Sequence, residues 1–389
     1  MTNTWEEVKL GDVSKMQYGY TASASKEKIG PKFLRITDIV PDIIDWDDVP
    51  FCEINDNDYE KYKLYNGDIL IARTGATAGY AKLIRNFEDA VFASYLIRVR
   101  PKENCYSGFV GRLIESNIFK QFIDKVKGGA AQPQANAPLL KEFSFLLPPL
   151  PTQHKIAGIL SAYDDLIENN TRRIAILEEI AERIYKEWFE DFKYPGHEND
   201  KMVDSEMGMI PEGWRVEKLG ESIELAYGKG LTKPERRGGF IPVYGASGIV
   251  GYHDKAFVQG PGIIVGRKGN VGSIFWSQVD FFPIDTVFYV VTDISLHYVY
   301  YNLQSQNFFN TDAAVPGLNR NQAYLNDMLI PDQKVIAQFQ EQNETIFRQI
   351  KIFSDITLTL SQTRDLLLPK LISGKVDVSE LDIDVGAEA

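Results

Sequence analysis

Two stretches of the chain place apolar residues at alternating three- and four-residue intervals. In the first, Leu160, Ile167, Ile174, Ala181 and Trp188 form one seven-residue series, and Ile156, Tyr163, Asn170, Leu177 and Ile184 form the other. In the second, Ile336, Asn343, Ile350 and Thr357 alternate with Phe339, Ile346, Phe353, Leu360 and Leu367. A sustained 3.5-residue period is the a/d seam of a coiled coil, whereas a helix lying on a globular core follows 3.6. The spacing predicts long helices over 151–192 and 331–375. Pro151 and Pro331 suit their starts, where a missing N–H costs nothing, and Pro369 and Gly374 punctuate the second end. Either each helix packs on its own domain or the two pair with each other, and the strict period favours pairing. On a shared seam Asn170 and Asn343 penalise slipped registers, because a buried amide demands a partner; the alternative is a solvated or frayed point.

A mixed region precedes each helix, over 1–150 and 213–330, with a linker at 193–212 and a tail at 376–389. Short β-branched and aromatic runs, such as 91–99 and 286–291, alternate with Gly-rich turns, the pattern of an α+β domain. The two regions are copies. Trp5, Lys9, Leu10, Gly11, Tyr18 and Gly19 recur as Trp214, Lys218, Leu219, Gly220, Tyr227 and Gly228, at one offset of 209. An apolar run ending in Arg73-Thr74-Gly75 returns as one ending in Arg267-Lys268-Gly269, and Pro151-x-Gln153-x-x-Ile156-Ala157 as Pro331-x-Gln333-x-x-Ile336-Ala337. The offset shrinks to 194 and then 180, so the second copy is shorter through internal deletions. Two copies of so long a period make a duplicated domain and not a solenoid. Antiparallel pairing of the helices then gives two globular domains joined and separated by an antiparallel coiled coil, with pseudo-twofold symmetry.

Composition narrows the function. With 44% apolar and 25% charged residues over 389 positions, the chain has the make-up of a folded globular protein. The N-terminal residues lack a basic start and an apolar core, and no apolar run approaches the ~20 residues that span a bilayer. Cys52 and Cys105 are too few for a disulfide framework. A cytoplasmic protein is expected. A net charge of -12 opposes a freestanding nonspecific nucleic-acid binder, so any DNA role must rest on local patches or basic partners.

Catalytic signatures are missing from the sequence. The only Pro-Pro, Pro148-Pro149, lacks the Asn/Asp that opens a methyltransferase catalytic turn. Gly228-Lys229-Gly230 and Gly374-Lys375-Val376 lack the hydroxyl of a phosphate-binding loop. Pro41-Asp42 has no Glu/Asp-x-Lys nearby to complete a nuclease cluster, and His154, His197, His253 and His297 are too dispersed for zinc. A non-catalytic chain is expected.

Four segments together resemble the specificity subunit of type I restriction-modification enzymes. They are 146–157 (LLPPLPTQHKIA), 185–192 (YKEWFEDF), 208–214 (GMIPEGW) and 366–375 (LLLPKLISGK), and the resemblance spans nearly the whole chain in order. It implies two target recognition domains, each reading one half of a split sequence in double-stranded DNA, and helices that fix the spacing between halves. It also implies docking of two methylation subunits and, for cleavage, restriction subunits. No cofactor is expected on this chain: S-adenosylmethionine belongs to the methylation subunits, ATP and magnesium to the motor-nuclease subunits. Two rivals remain, a scaffold that joins such partners without reading sequence, and an autonomous DNA-modifying enzyme.

Candidate DNA contacts combine bases for phosphate anchoring with amides, hydroxyls and guanidiniums for base edges. In the first domain these are Tyr18, Tyr20, Thr21, Ser25, Lys26, Lys28, Lys32 and Arg35, with Arg73, Thr74 and Gln134 further on. The second domain offers Tyr227, Lys229, Lys233, Arg236, Arg237, Arg267, Lys268, Asn270, Asn319, Arg320 and Asn321. A solvated loop explains each segment otherwise, and a tight turn explains the glycines after Arg73 and Arg267 as well as DNA contact does. Because the chain is acidic, the isolated protein is expected to bind DNA weakly and to gain affinity with methylation subunits present. Fluorescence anisotropy at one salt concentration measures both, and tight specific binding by the lone chain would contradict the expectation.

Overall fold

The computed structural model describes residues 5–41, 44–85, 89–127, 135–308 and 317–383. It divides into two compact units, one of residues 1–170 with 356–389 and one of residues 171–355. Both divisions fall inside a long helix. The first long helix runs Leu150–Tyr185 and continues as a π-helical turn, Lys186–Glu190. The second runs Gln333–Ile372 and passes through Pro369 without ending. A proline in the last turn forfeits one backbone bond, too little to unwind a packed helix end. The end comes at Gly374, whose φ of +68° takes the left-handed conformation that lets its N–H reach the Leu371 carbonyl at 3.1 Å.

The seam positions face inward. Leu160, Asn170, Ala181, Trp188, Phe339, Asn343 and Ile346 are buried; Ile167, Ile174, Leu177, Ile184, Ile350, Phe353 and Leu360 are half-buried. In the first unit Leu160 shares a core with Leu371 and Ile372, and Asp164 meets Arg364 at 2.6 Å. In the second, Arg173 lies over the Phe353 ring at 5.4 Å, and Trp188 and Phe189 lie 5.8 and 4.9 Å from Phe339. Partner numbers fall on one helix as they rise on the other, so the pairing is antiparallel in each unit. Asn343 is fully buried; its Nδ2 donates to the Phe339 carbonyl at 3.1 Å, and its Oδ1 has no partner among the described residues.

The first unit carries β1 (Glu6–Lys9), β2 (Ser14–Tyr18), β3 (Lys32–Leu34), β4 (Ile69–Ala72), β5 (Ala81–Leu83), β6 (Ala90–Phe92), β7 (Leu96–Pro101) and β8 (Ser144–Leu147). A four-stranded antiparallel sheet has the order β2-β7-β4-β5, flanked by the pair β1-β8 and the parallel pair β3-β6. The run expected over 91–99 is thus two strands, broken by a turn at Ser94 and Tyr95. The second unit carries β9 (Met202–Ser205), β10 (Gly208–Pro211), β11 (Arg215–Lys218), β12 (Glu224–Tyr227), β13 (Ile241–Gly245), β14 (Gly248–His253), β15 (Gly262–Gly266), β16 (Ile274–Ser277), β17 (Phe282–Pro283), β18 (Val287–Val291) and β19 (Asp327–Ile330). Its order β12-β18-β15-β16, its pair β11-β19 and its parallel pair β13-β17 repeat the first unit's arrangement, with β14 added antiparallel on β13. Both central strands, β4 and β15, are buried at every position, as unbroken apolar runs require.

Two repeated sequence features gain a structural cause. Lys9 pairs with Glu142 at 2.7 Å and Lys218 with Asp327 at 2.5 Å, each beside the pair that joins the first and last strands of its copy. Gln153 is buried: its Oε1 accepts from the Tyr106 N–H at 2.7 Å and its Nε2 donates to the Pro148 carbonyl at 2.8 Å, which fixes the entry to the first helix. The expected linker over 193–212 holds the hairpin β9-β10, turned by Gly208 at φ +96° and anchored in the core through Ile210.

His297 lies in the second unit's core, stacked on Trp276 at 4.9 Å with Phe347 edge-on at 4.7 Å. Burial there disfavours the charged ring and lowers its pKa from the ordinary 6.5 to about 4. The unfolded chain then binds the extra proton between those values, so stability falls as pH drops from about 6.5 to about 4, by up to about 3 kcal/mol. His297→Phe is expected to flatten that region of a stability-against-pH curve measured by urea unfolding. An unchanged slope contradicts it.

Candidate nucleic-acid interface

Strands β2 and β12 end on the repeated tyrosines, and the following glycines explain why. A Cβ on Gly19 would lie 2.2 Å from the Ala93 carbonyl oxygen, and one on Gly228 would lie 2.1 Å from that of Ile284. Only glycine allows so close a crossing. The phenol rings just before it are left 40% (Tyr18) and 49% (Tyr227) exposed.

An arginine from the end of the central strand covers each ring. The Arg73 guanidinium lies 5.0 Å from the Tyr18 centroid; Arg267 lies 4.9 Å from that of Tyr227, and Arg320 approaches the same ring at 4.9 Å. The backbone repeats as well. Arg73 N–H donates to the Tyr95 carbonyl and Arg267 N–H to that of Thr286, both at 2.9 Å, while their own carbonyls accept from Ala135 and Leu318 at 2.8 and 2.7 Å. The Tyr18 hydroxyl accepts from the Ala137 N–H at 3.2 Å. Stacking holds each guanidinium flat and its rim of donors fixed. The Nε atoms of Arg73 and Arg320 are buried with no acceptor among the described residues.

The remaining candidates divide by environment. Thr21, Lys26, Lys28, Lys229, Lys233, Arg237, Lys268, Asn270 and Asn321 are exposed. Thr74 is half-buried, and so is Tyr20, whose ring lies 5.3 Å from that of Tyr62. Ser25 pairs with Phe51 through both backbone groups. Arg236 is tied to the Val250 carbonyl at 2.7 Å. Between them Glu235 caps the loop; the Thr232 hydroxyl and N–H hold its carboxyl below the usual range. Gln134, with Gln132 and Pro133, lies outside the described residues.

Three candidates have structural partners within the fold. Lys32 is buried, its Nζ donating to the carbonyls of Trp46 at 2.6 Å and Val49 at 3.2 Å, so it staples a loop and cannot reach phosphate. Arg35 is held in a two-pronged bond to Asp38, which raises its pKa and supplies the charge locally. Asn319 accepts from the N–H groups of Asn321 and Gln322 as a helix cap. Tyr95, 61% exposed beside Arg73, is a contact candidate that sequence reasoning misses, since its run reads as one strand; the Ala93-Ser94 pair ahead of it is the only hint of a turn.

The chain belongs to the family described as type I restriction modification DNA specificity domain, whose model matches residues 2–179 and 211–353. It is 25% identical to the MjaIX specificity subunit of Methanocaldococcus jannaschii, over 97% of this chain and 94% of that one. It is 22% identical to the HindI specificity subunit of Haemophilus influenzae, over 96% and 99%. Among solved structures it shares the fold of a type I S subunit from M. genitalium, at a TM-score of 0.57 and 16% identity, over 96% of this chain and 98% of that one. The protein is therefore a DNA sequence specificity subunit, the non-catalytic recognition component of a type I restriction-modification system. No helix among the described residues is long and apolar enough to cross a membrane.

Because Lys32 serves the fold, Lys32→Met is expected to lower stability by about 1–3 kcal/mol, the cost of leaving buried carbonyls unpaired. Thermal melting checks this, and an unchanged melting temperature would contradict it.

Proposed function

We propose that each unit reads one half of a bipartite DNA target and that the paired helices set the number of unread base pairs between the halves. The carrying observation is the exposed tyrosine with an arginine stacked on it, present at the same strand ends in both units. A preoriented guanidinium can engage a guanine edge or a phosphate with little ordering cost, and each good bidentate contact discriminates by about 1–3 kcal/mol. Lys26, Lys28, Lys229, Lys233 and Arg237, exposed on the loops that follow the two tyrosines, serve as phosphate anchors in this reading. The two sites share a frame but not their surroundings: Arg320 flanks the second tyrosine only, which supports two different half-sites.

The ruler role is supported by the two long helices, each contributing residues to both units. Two methylation subunits and, for cleavage, restriction subunits complete the assembly in this reading, and they carry S-adenosylmethionine, ATP and magnesium.

Mapping modified bases in the DNA of cells that express the assembly is the test. A split motif is expected. Insertion of one heptad into each helix is expected to lengthen the gap by about three base pairs, since seven residues add about 10 Å, and to leave both halves unchanged. A contiguous motif, or altered halves at fixed spacing, would overturn the reading.

A further inference from the structure

The loop from β12 to β13 contains a residue the DNA-contact reading does not use. Phe240 is 96% exposed, at the end of a loop that is otherwise tightly held. Arg236 is bonded to the Val250 carbonyl at 2.7 Å and the Arg237 N–H to His253 Nδ1 at 3.3 Å. Gly238 and Gly239 have φ of +76° and +110°, and a Cβ on Gly239 would lie 2.7 Å from the His253 carbonyl oxygen. A loop fixed at these points has no folding reason to carry a bare phenyl ring where it enters β13. Water contact is costly for such a ring, and burial elsewhere recovers that cost.

The corresponding loop of the first unit, between β2 and β3, has the same plan. Ile29 is 48% exposed just before β3, with the exposed Lys26 and Lys28 ahead of it. In both units an exposed apolar residue follows a pair of cations as the chain approaches the parallel strand pair. Cations attract phosphates, and an apolar side chain among them meets base faces once the backbone is bound. Proteins that seat such a side chain in DNA use it to pry adjacent base pairs apart.

From this we infer that Phe240 is a wedge that inserts between base pairs of the half-site read by the second unit, with Ile29 as its weaker counterpart in the first. The inference rests on the proposal that each unit reads one half-site. It adds that recognition includes a local opening of the stack, so the ease of unstacking at one step contributes to what is read.

The test uses the full chain assembled with its methylation subunits, carrying Phe240→Ala, Phe240→Trp or Ile29→Ala. Modified bases are mapped in host DNA, and binding to a duplex bearing the mapped motif is measured over a range of salt. Phe240→Ala is expected to weaken binding about tenfold or more with the salt slope unchanged, because no phosphate contact is lost. It should also relax the motif in one half only. Phe240→Trp should retain binding, and Ile29→Ala should give a smaller loss confined to the other half. Unchanged affinity and motif in Phe240→Ala overturn the wedge. So does failure of that variant to assemble, which would make the ring a protein contact, and so does relaxation of the same half by both alanine variants. If the unsubstituted assembly yields no split motif, the half-site reading fails first, and that is visible before any substitution is compared.

Discussion

The seam between the two long helices is the constraint on which the rest of the structure depends. Neither helix can bury its a/d stripe alone, and each supplies the stripe that covers the other: Leu160 with Leu371 in one unit, Trp188 with Phe339 in the other. Neither stripe ends at the helix surface. Asp164, on the first helix, is paired both with Arg364 of the second helix and with Arg112 of a short helix under the sheet, each at 2.6 Å. In the second unit Phe189 packs against Tyr298 at 4.7 Å as well as against Phe339. Helix pairing and sheet packing therefore form one hydrophobic phase in each unit, and a slip of the seam would disturb the sheet that presents the contact residues.

Duplication explains why the contact residues fall where they do. The glycine after each exposed tyrosine is dictated by a carbonyl about 2 Å from where a Cβ would stand, and the arginine that covers the ring follows a strand buried on both faces. Those positions are fixed by the frame and so recur. What surrounds them is not: the loops after Tyr18 and Tyr227 are equal in length but differ in sequence and charge, and the second ring is also approached by Arg320. The frame is inherited twice while the chemistry at its rim is free to diverge.

Much of this is legible in the sequence because it rests on periodicity and identity. The heptads imply the helices and their pairing, and the matched segments, in the same order at shrinking offsets, imply two copies whose strand orders match. Single polar residues are less legible. Lys32 reads as a surface cation, yet a cluster of loop carbonyls turns it inward, and nothing in its neighbours announces them. Asn319 reads as a base-reading amide, but the helix it starts is one turn long and too short to leave a periodic signal. Pro369 lies inside the expected helix although proline breaks an isolated one; packing of Leu371 and Ile372 against the core carries the chain past it. Tyr95 and Phe240 matter through exposure, which composition does not encode.

The first unit is closed by residues from both chain ends, 1–170 and 356–389, whereas the second is one continuous segment. During synthesis the second unit is complete once residue 355 has left the ribosome, and its half of the seam can zip without further chain. The first unit must wait until residues 356–389 supply Arg364, which pairs with Asp164, and Leu371 and Ile372, which complete the core around Leu160. A chain truncated before residue 356 therefore loses the covering of its earliest-made unit and not of its latest.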